Sequence, residues 1–282
     1  MILGINGILA GKGVASFVGL LDTYTGAIAG YSLRKLKSTY SGYAIRVRRS
    51  SDNTSQDIGF KSDGTLDTTS LLSFVGSGNG FVSIWYDQSG NGSNLNQSTA
   101  AEQMRIVYGG NLDLLNGKPA LTSNYNYAQV GYMSTSAFSS TYNQTTMFNI
   151  GSHTNSTAKW LWSATSPFTN PNRVECYQES SSLLSLYAGA NMNTTYTPSI
   201  TTQRIIYAKY NGASSLIAIN NGSGTSGNSG GGYMGGLILN AIGLGTANSA
   251  ASYHQEMIIF NGNQDSNRSG INTNINSYYT IY

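Results

Sequence analysis

Four carboxylates, Glu175, Glu179, Asp87 and Glu256, are the side chains of this sequence best placed to carry chemistry. Glycoside hydrolysis needs little more than two carboxyl groups about 5–9 Å apart, one to protonate the departing oxygen and one to attack or to activate water. Each acid also has a structural reading. Glu175 and Glu256 fall in strand-like runs, where an acid pairs with arginine or faces water, and Asp87 opens a turn.

Other chemistries are poorly provided for. Gly11-Lys12 has Asn6 where a phosphate loop needs its first glycine and Gly13 where it needs Ser or Thr. No Gly-x-Ser-x-Gly elbow surrounds a plausible nucleophile, and His153 and His254 stand in contexts too different to build a triad. The lone Cys176 excludes an internal disulfide and, with only two histidines to help it, cannot complete a structural zinc site. Asp52, Asn53 and Asp57 share a loop, but their spacing matches no EF-hand pattern. Neither a metal nor a cofactor is expected.

The elements that must position these residues are mostly strands. Apolar or alternating runs recur at Thr146 to Ile150, Trp160 to Ser163, Arg173 to Tyr177, Leu183 to Tyr187, Arg204 to Tyr210, Ser215 to Ile219, Leu237 to Leu244 and Tyr253 to Phe260, separated by turn clusters. That spacing indicates an all-β sandwich. Asn211-Gly212 marks a hairpin, and Asn220 to Gly236 reads as a long Gly/Ser/Asn loop. Further strands are predicted at Tyr43 to Arg48 and Phe81 to Tyr86, the latter ending in the turn Asp87 to Gly92. Three short helices are expected: Thr25 to Leu36 from the spacing of Ile28, Tyr31, Leu33 and Leu36; Asp67 to Gly76 from its N-cap and stop; and a closing helix with Ile271, Ile275 and Tyr278 on one face.

Composition agrees with a strand-rich, packed domain. Only 10% of the 282 residues are charged, against 39% hydrophobic and 20 tyrosines, which is enough apolar surface for a core. The net charge of +3 is too small to suggest nucleic-acid binding. The basic residues between Arg34 and Arg49 partly alternate with apolar ones and read as a solvated strand face. Residues 1–21 form an apolar, Gly-rich arm without the charged start of a signal peptide and too short in its apolar run to span a bilayer, so it is expected to attach or oligomerise the domain spanning residues 22–282.

A sugar site combines exposed aromatic rings with polar partners. Trp160, Trp162 and Tyr177 lie in the strands nearest Glu175 in sequence, although core packing is the plainer reading of the two tryptophans.

The runs Tyr40-Ser41-Gly42-Tyr43-Ala44-Ile45-Arg46-Val47-Arg48-Arg49-Ser50-Ser51-Asp52 and Trp85-Tyr86-Asp87-Gln88-Ser89-Gly90-Asn91-Gly92 resemble the catalytic domain of the arabinofuranosidase B family. The stretch from Gly243 through Tyr253 to Asn261, with the helix after it, is similar to the end of a laminin G or concanavalin A-like sandwich. The resemblance implies a concanavalin A-like jelly-roll β-sandwich with a few short helices and a C-terminal helix. It also implies Glu175 as nucleophile. The family's acid/base aspartate falls on Ala247 within Gly245-Thr246-Ala247-Asn248-Ser249, its vicinal cysteines on Thr146-Met147, and the following aspartate on Asn149. Alanine carries no proton to donate, and general acid catalysis contributes about 10²–10⁴ in rate.

The run from Leu21-Asp22-Thr23-Tyr24 to Leu36 also looks like domains of tailed-bacteriophage structural proteins. The resulting expectation is a non-catalytic, lectin-like virion component, in a fibre or decoration protein, likewise a homo-oligomer. It would meet other virion proteins through its arm and bind host surface glycan through Trp160, Trp162, Glu175, Tyr177 and Asn149, without nucleic acid or membrane. An arabinofuranosidase-like hydrolase, secreted or particle-borne, with a recruited acid, and a ligand-free structural oligomer are the alternatives.

Overall fold

The computed structural model describes residues 17–123, 131–135, 137–139, 142–153, 159–165, 172–180, 183–195, 201–241 and 251–282. Alternation of side chains along the strands builds two antiparallel layers. In the first, strand Thr145–His153 lies between Arg204–Tyr210 and Ser252–Asn261. Ser215–Ile219 and Thr225–Gly227 extend it on one side, and Ala27–Ser32 pairs with Ser252–Asn261 on the other. The second layer runs from Ser55–Ile58 through Ile45–Arg49, Gly80–Trp85, Leu95–Asn96, Met133–Thr135 and Leu237–Leu239 to Lys159–Ser163, Glu175–Ser180, Leu183–Tyr187 and Asn191–Asn193. Leu121–Thr122 bridges the layers, pairing with both Met104–Tyr108 and Ser252–Asn261.

Period two sorts the core. Met147, Ile206, Ala208, Met257 and Ile259 point between the layers, where they meet Val47, Val82, Trp85, Trp162, Cys176 and Leu186. Their neighbours Phe148, Ile150, Ile205, Tyr207, Ile258 and Phe260 point outward, and are covered by Leu20, Leu21 and Leu36 and by Ile271, Ile275 and Tyr279 of the helix Arg268–Tyr279. Of the arm expected over residues 1–21, residues 1–16 lie outside the described residues, while Leu20 and Leu21 belong to this second cluster.

The helix expected at Thr25 to Leu36 is a strand, Ala27–Ser32. Its residues are buried from both faces, so its apolar run carries no alternation and imitates helical spacing. Gly26, at φ +86°, turns the chain into it. The helix Thr68–Val75 forms as its caps predict, with Asp67 accepting from the Ser70 amide and Gly76 at φ +64° closing it. The long loop Asn220 to Gly236 contains a short edge strand, Thr225–Gly227.

Candidate active site

Strand Glu175–Ser180 places Glu175 and Tyr177 on one face and Cys176 on the other, in the core, and Glu179, at a bulge between Gln178 and Ser180, reaches the Tyr177 side chain. Glu175 sits opposite Ser163 on one neighbour and Tyr187 on the other, and Tyr177 sits opposite Trp160 and Ser185. A bulge between Trp160 and Trp162 separates the two tryptophans. Trp160 comes onto the Glu175 face and stacks on Tyr177, with ring centroids 5.4 Å apart and planes 20° from parallel. Trp162 turns into the core, fully buried, where its indole N–H donates to the Tyr210 hydroxyl at 3.1 Å, so it is withdrawn from the expected sugar-binding set.

Glu175 is itself almost wholly buried, and its carboxylate pairs with the Arg173 guanidinium. The alternation Arg173-Val174-Glu175 puts both charges on one face, a period-two signal that sequence reasoning passed over. Arg173 in turn lies over the Tyr187 ring, 5.7 Å from its centroid. Burial raises the carboxyl above its ordinary value, while the Trp160 side chain and Arg173 pull it down. Tyr177 is pushed up by burial and by Glu179 and Glu175, and its hydroxyl donates to Asn191 Oδ1 at 3.0 Å. The result is a carboxyl in an aromatic, hydrogen-bonding wall, with Glu179 exposed further along the same strand.

The other candidate acids are engaged elsewhere. Asp87 Oδ1 accepts from the amides of Gly30 at 2.8 Å and Ser89 at 2.9 Å, and Oδ2 accepts from the Ser93 amide and the Ser89 hydroxyl. Gln88 beside it accepts from the Leu36 amide and donates to the carbonyls of Ser32 and Arg34. The motif Trp85 to Gly92 thus clamps its loop to the first strand. Glu256 is buried and gripped by Arg34 through Nε at 2.7 Å and Nη2 at 3.0 Å, with Ser32 donating at 2.7 Å.

The remaining expected residues do not join Glu175. Asn149 is buried in the other layer, its Oδ1 accepting from His153 Nε2 at 3.2 Å. Thr146, in the same strand, donates to the Gly262 carbonyl. Ala247 and its run lie outside the described residues. Asp57 holds Arg46 through both oxygens and accepts from Tyr86, while Asp52 holds Arg49 and caps Thr54. The predicted basic face is therefore largely paired.

Two layers, an intervening core and a helix on the outer face define a two-layered β-sandwich. Residues 22–160 match the family model "Alpha-L-arabinofuranosidase B, catalytic". No curated protein matches the chain. Three solved structures share the fold at 18% identity: an arabinofuranosidase complexed with arabinofuranosyl-alpha-1,2-xylobiose and a GH54 α-L-arabinofuranosidase soaked with a cyclic sulfate inhibitor, both at a TM-score of 0.67, and a GH54 variant soaked with 4-nitrophenyl α-L-arabinofuranoside at 0.66. In each case 91% of this chain is covered, and the chain spans 64% of the length of the structure it matches. The expectation of a non-catalytic, lectin-like virion protein is corrected here, because the matching family is a catalytic domain and the structures sharing the fold are glycosidases.

Proposed function

We propose that this chain is a glycoside hydrolase acting on α-L-arabinofuranosides, with Glu175 as the attacking carboxylate. The observation that supports it most directly is the meeting of a catalytic-family match over residues 22–160 with a buried, arginine-paired carboxylate against the Trp160–Tyr177 stack. A Glu175 oxygen bonds to the anomeric carbon as the bond to the leaving oxygen breaks, a proton passes from an acid to that oxygen, and water then cleaves the glycosyl ester. Arg173 favours the ionised nucleophile, and the aromatic stack offers a flat apolar surface to the sugar's C–H face.

Alanine at position 247 obliges another side chain to act as the acid. Asp87 and Glu256 are fixed in structural hydrogen bonds, whereas Glu179 shares the strand of Glu175 and is exposed. At about 3.3 Å per residue the two Cα atoms stand at most roughly 13 Å apart, less across the bulge between Gln178 and Ser180, and their carboxyls come within working reach by leaning together over Tyr177. Release of nitrophenol from 4-nitrophenyl α-L-arabinofuranoside tests the reading. Wild-type protein is expected to turn over. Glu175→Gln should be inactive, and Glu179→Gln should lose more activity on substrates with poor leaving groups than on the nitrophenyl one. A wild-type chain that releases no nitrophenol, or a Glu175→Gln variant as active as wild type, overturns it.

A further inference from the structure

At the opposite edge of the second layer from Glu175, beside strands Ile45–Arg49 and Ser55–Ile58, lies a cleft of about 460 Å³ whose walls are Phe17, Tyr40, Tyr43 and Phe60 with Lys35 and Lys61. We propose that it binds an oligosaccharide bearing carboxylates, a chain of uronic acid residues. The site stands apart from Glu175, and the inference does not rest on hydrolysis.

The walls are braced by a hydrogen bond and a ring contact, and one of their rings stays exposed. The Tyr40 hydroxyl donates to the Tyr43 carbonyl at 2.9 Å, and the Tyr40 ring meets Phe60 edge-on at 6.3 Å. A Cβ at Gly42 would approach that hydroxyl to 2.5 Å, so a side chain there would displace the Tyr40 ring. Gly64, at φ +82°, likewise leaves room for Phe17, whose ring a Cβ would meet at 2.3 Å. Tyr43 remains 51% exposed although it packs near Tyr86, leaving an aromatic face free for the C–H side of a sugar ring.

Charge then selects the sugar. Among the described residues, neither Lys35 nor Lys61 is in a salt bridge, and Lys35 Nζ lies 5.8 Å from the Phe17 centroid. Lys61 lies near Asp63 and Asp67, whose carboxylates accept from the amide and hydroxyl of Thr65 and of Ser70 within their own loops. Two ammonium groups lining an aromatic cleft, neither held in a salt bridge, complement a ligand that carries its own carboxylates and stacks through its rings.

Calorimetric titration of the full chain with trigalacturonate, which contains no arabinofuranosyl unit, tests this against its uncharged counterpart galactotriose. Trigalacturonate should bind and galactotriose should bind at least tenfold more weakly, with Tyr43→Ala weakening trigalacturonate about tenfold or more. Lys61→Met should bring trigalacturonate toward the neutral trisaccharide, and Glu175→Gln should leave binding unchanged. Tyr43 and Lys61 are both exposed, so unchanged melting of the two variants confirms that they fold. No trigalacturonate binding by wild type, equal binding of the two trisaccharides, or full binding by folded Tyr43→Ala overturns the proposal.

Discussion

The hydroxyl of Tyr210 donates to the backbone carbonyl of Glu175 at 2.6 Å, so the proposed nucleophile is fixed from behind by a strand of the opposite layer. Trp162 completes the chain by donating to that hydroxyl. The core beneath the site and the site itself are thus one hydrogen-bonded unit, while Trp160 and Tyr177 form its outer surface.

This division separates the two tryptophans experimentally. Trp162→Ala leaves a large cavity and strands the Tyr210 hydroxyl, and should lower stability by about 3–5 kcal/mol in a denaturant melt. Trp160→Ala removes a half-exposed ring stacked on Tyr177 and should lower it by about 1 kcal/mol, while raising KM for an arabinofuranoside more than it lowers kcat. Equal destabilisation by the two would contradict their placement on opposite faces.

Asp87 should prove structural. Asp87→Asn presents an amide N–H₂ to donors now held by Oδ1 or Oδ2, and should lower stability by roughly 2–3 kcal/mol. The hydrolytic rate at a temperature where the variant is folded should be nearly unchanged. A large fall in rate without a fall in melting temperature would return Asp87 to the list of catalytic acids.

Glu256→Gln leaves the Arg34 guanidinium buried beside a neutral partner, and should lower stability by about 3–5 kcal/mol. The double variant Arg34→Met, Glu256→Leu should recover a substantial part of that loss, since neither charge then needs compensation. Thermal unfolding of the three proteins checks both statements.

His153 and His254 face each other at 5.2 Å in the interior, and burial pushes His153 down to about 3 and His254 well below its ordinary value. The unfolded chain, whose histidines titrate near 6.5, therefore binds more protons than the native one as pH falls from about 6.5 toward 3. Their contribution to stability is fully present above pH 6.5 and is lost as pH drops through that window. Each histidine should account for up to about 1.4 kcal/mol per pH unit in the middle of it, where the unfolded ring is protonated and the native one is not. Melting temperature measured from pH 7 to pH 4 should fall, and less steeply in His153→Gln.

Much of the fold was legible because local chemistry and tertiary structure agree. Asp67 and Gly76 bound their helix as caps, and the alternating runs of Arg204 to Tyr210 and Ser215 to Ile219 became the hairpin that Asn211-Gly212 suggested. The strand Ala27–Ser32 was misread as a helix because burial on both faces erases alternation. Nearness in sequence grouped Trp160, Tyr177 and Glu175, which the strands bring onto one face, and a bulge decides what nearness cannot: which tryptophan faces out. Asn149 was expected beside Glu175 but belongs to a strand of the other layer, a separation that only the pairing order reveals. The cleft around Tyr43 joins residues from three segments, each bland by itself.

Ala27–Ser32 pairs with Ser252–Asn261, joining Ser32 to Glu256 across 224 positions of the chain. During synthesis on the ribosome, this strand and its apolar face must wait for a partner 224 positions further along the chain to emerge. Such long-range closure slows folding and leaves unpaired edges in the nascent chain. The Asp87–Gln88 clamp on Gly30, Ser32, Arg34 and Leu36 joins residues only 52 to 57 positions apart, so its loop closes over a far shorter stretch of chain.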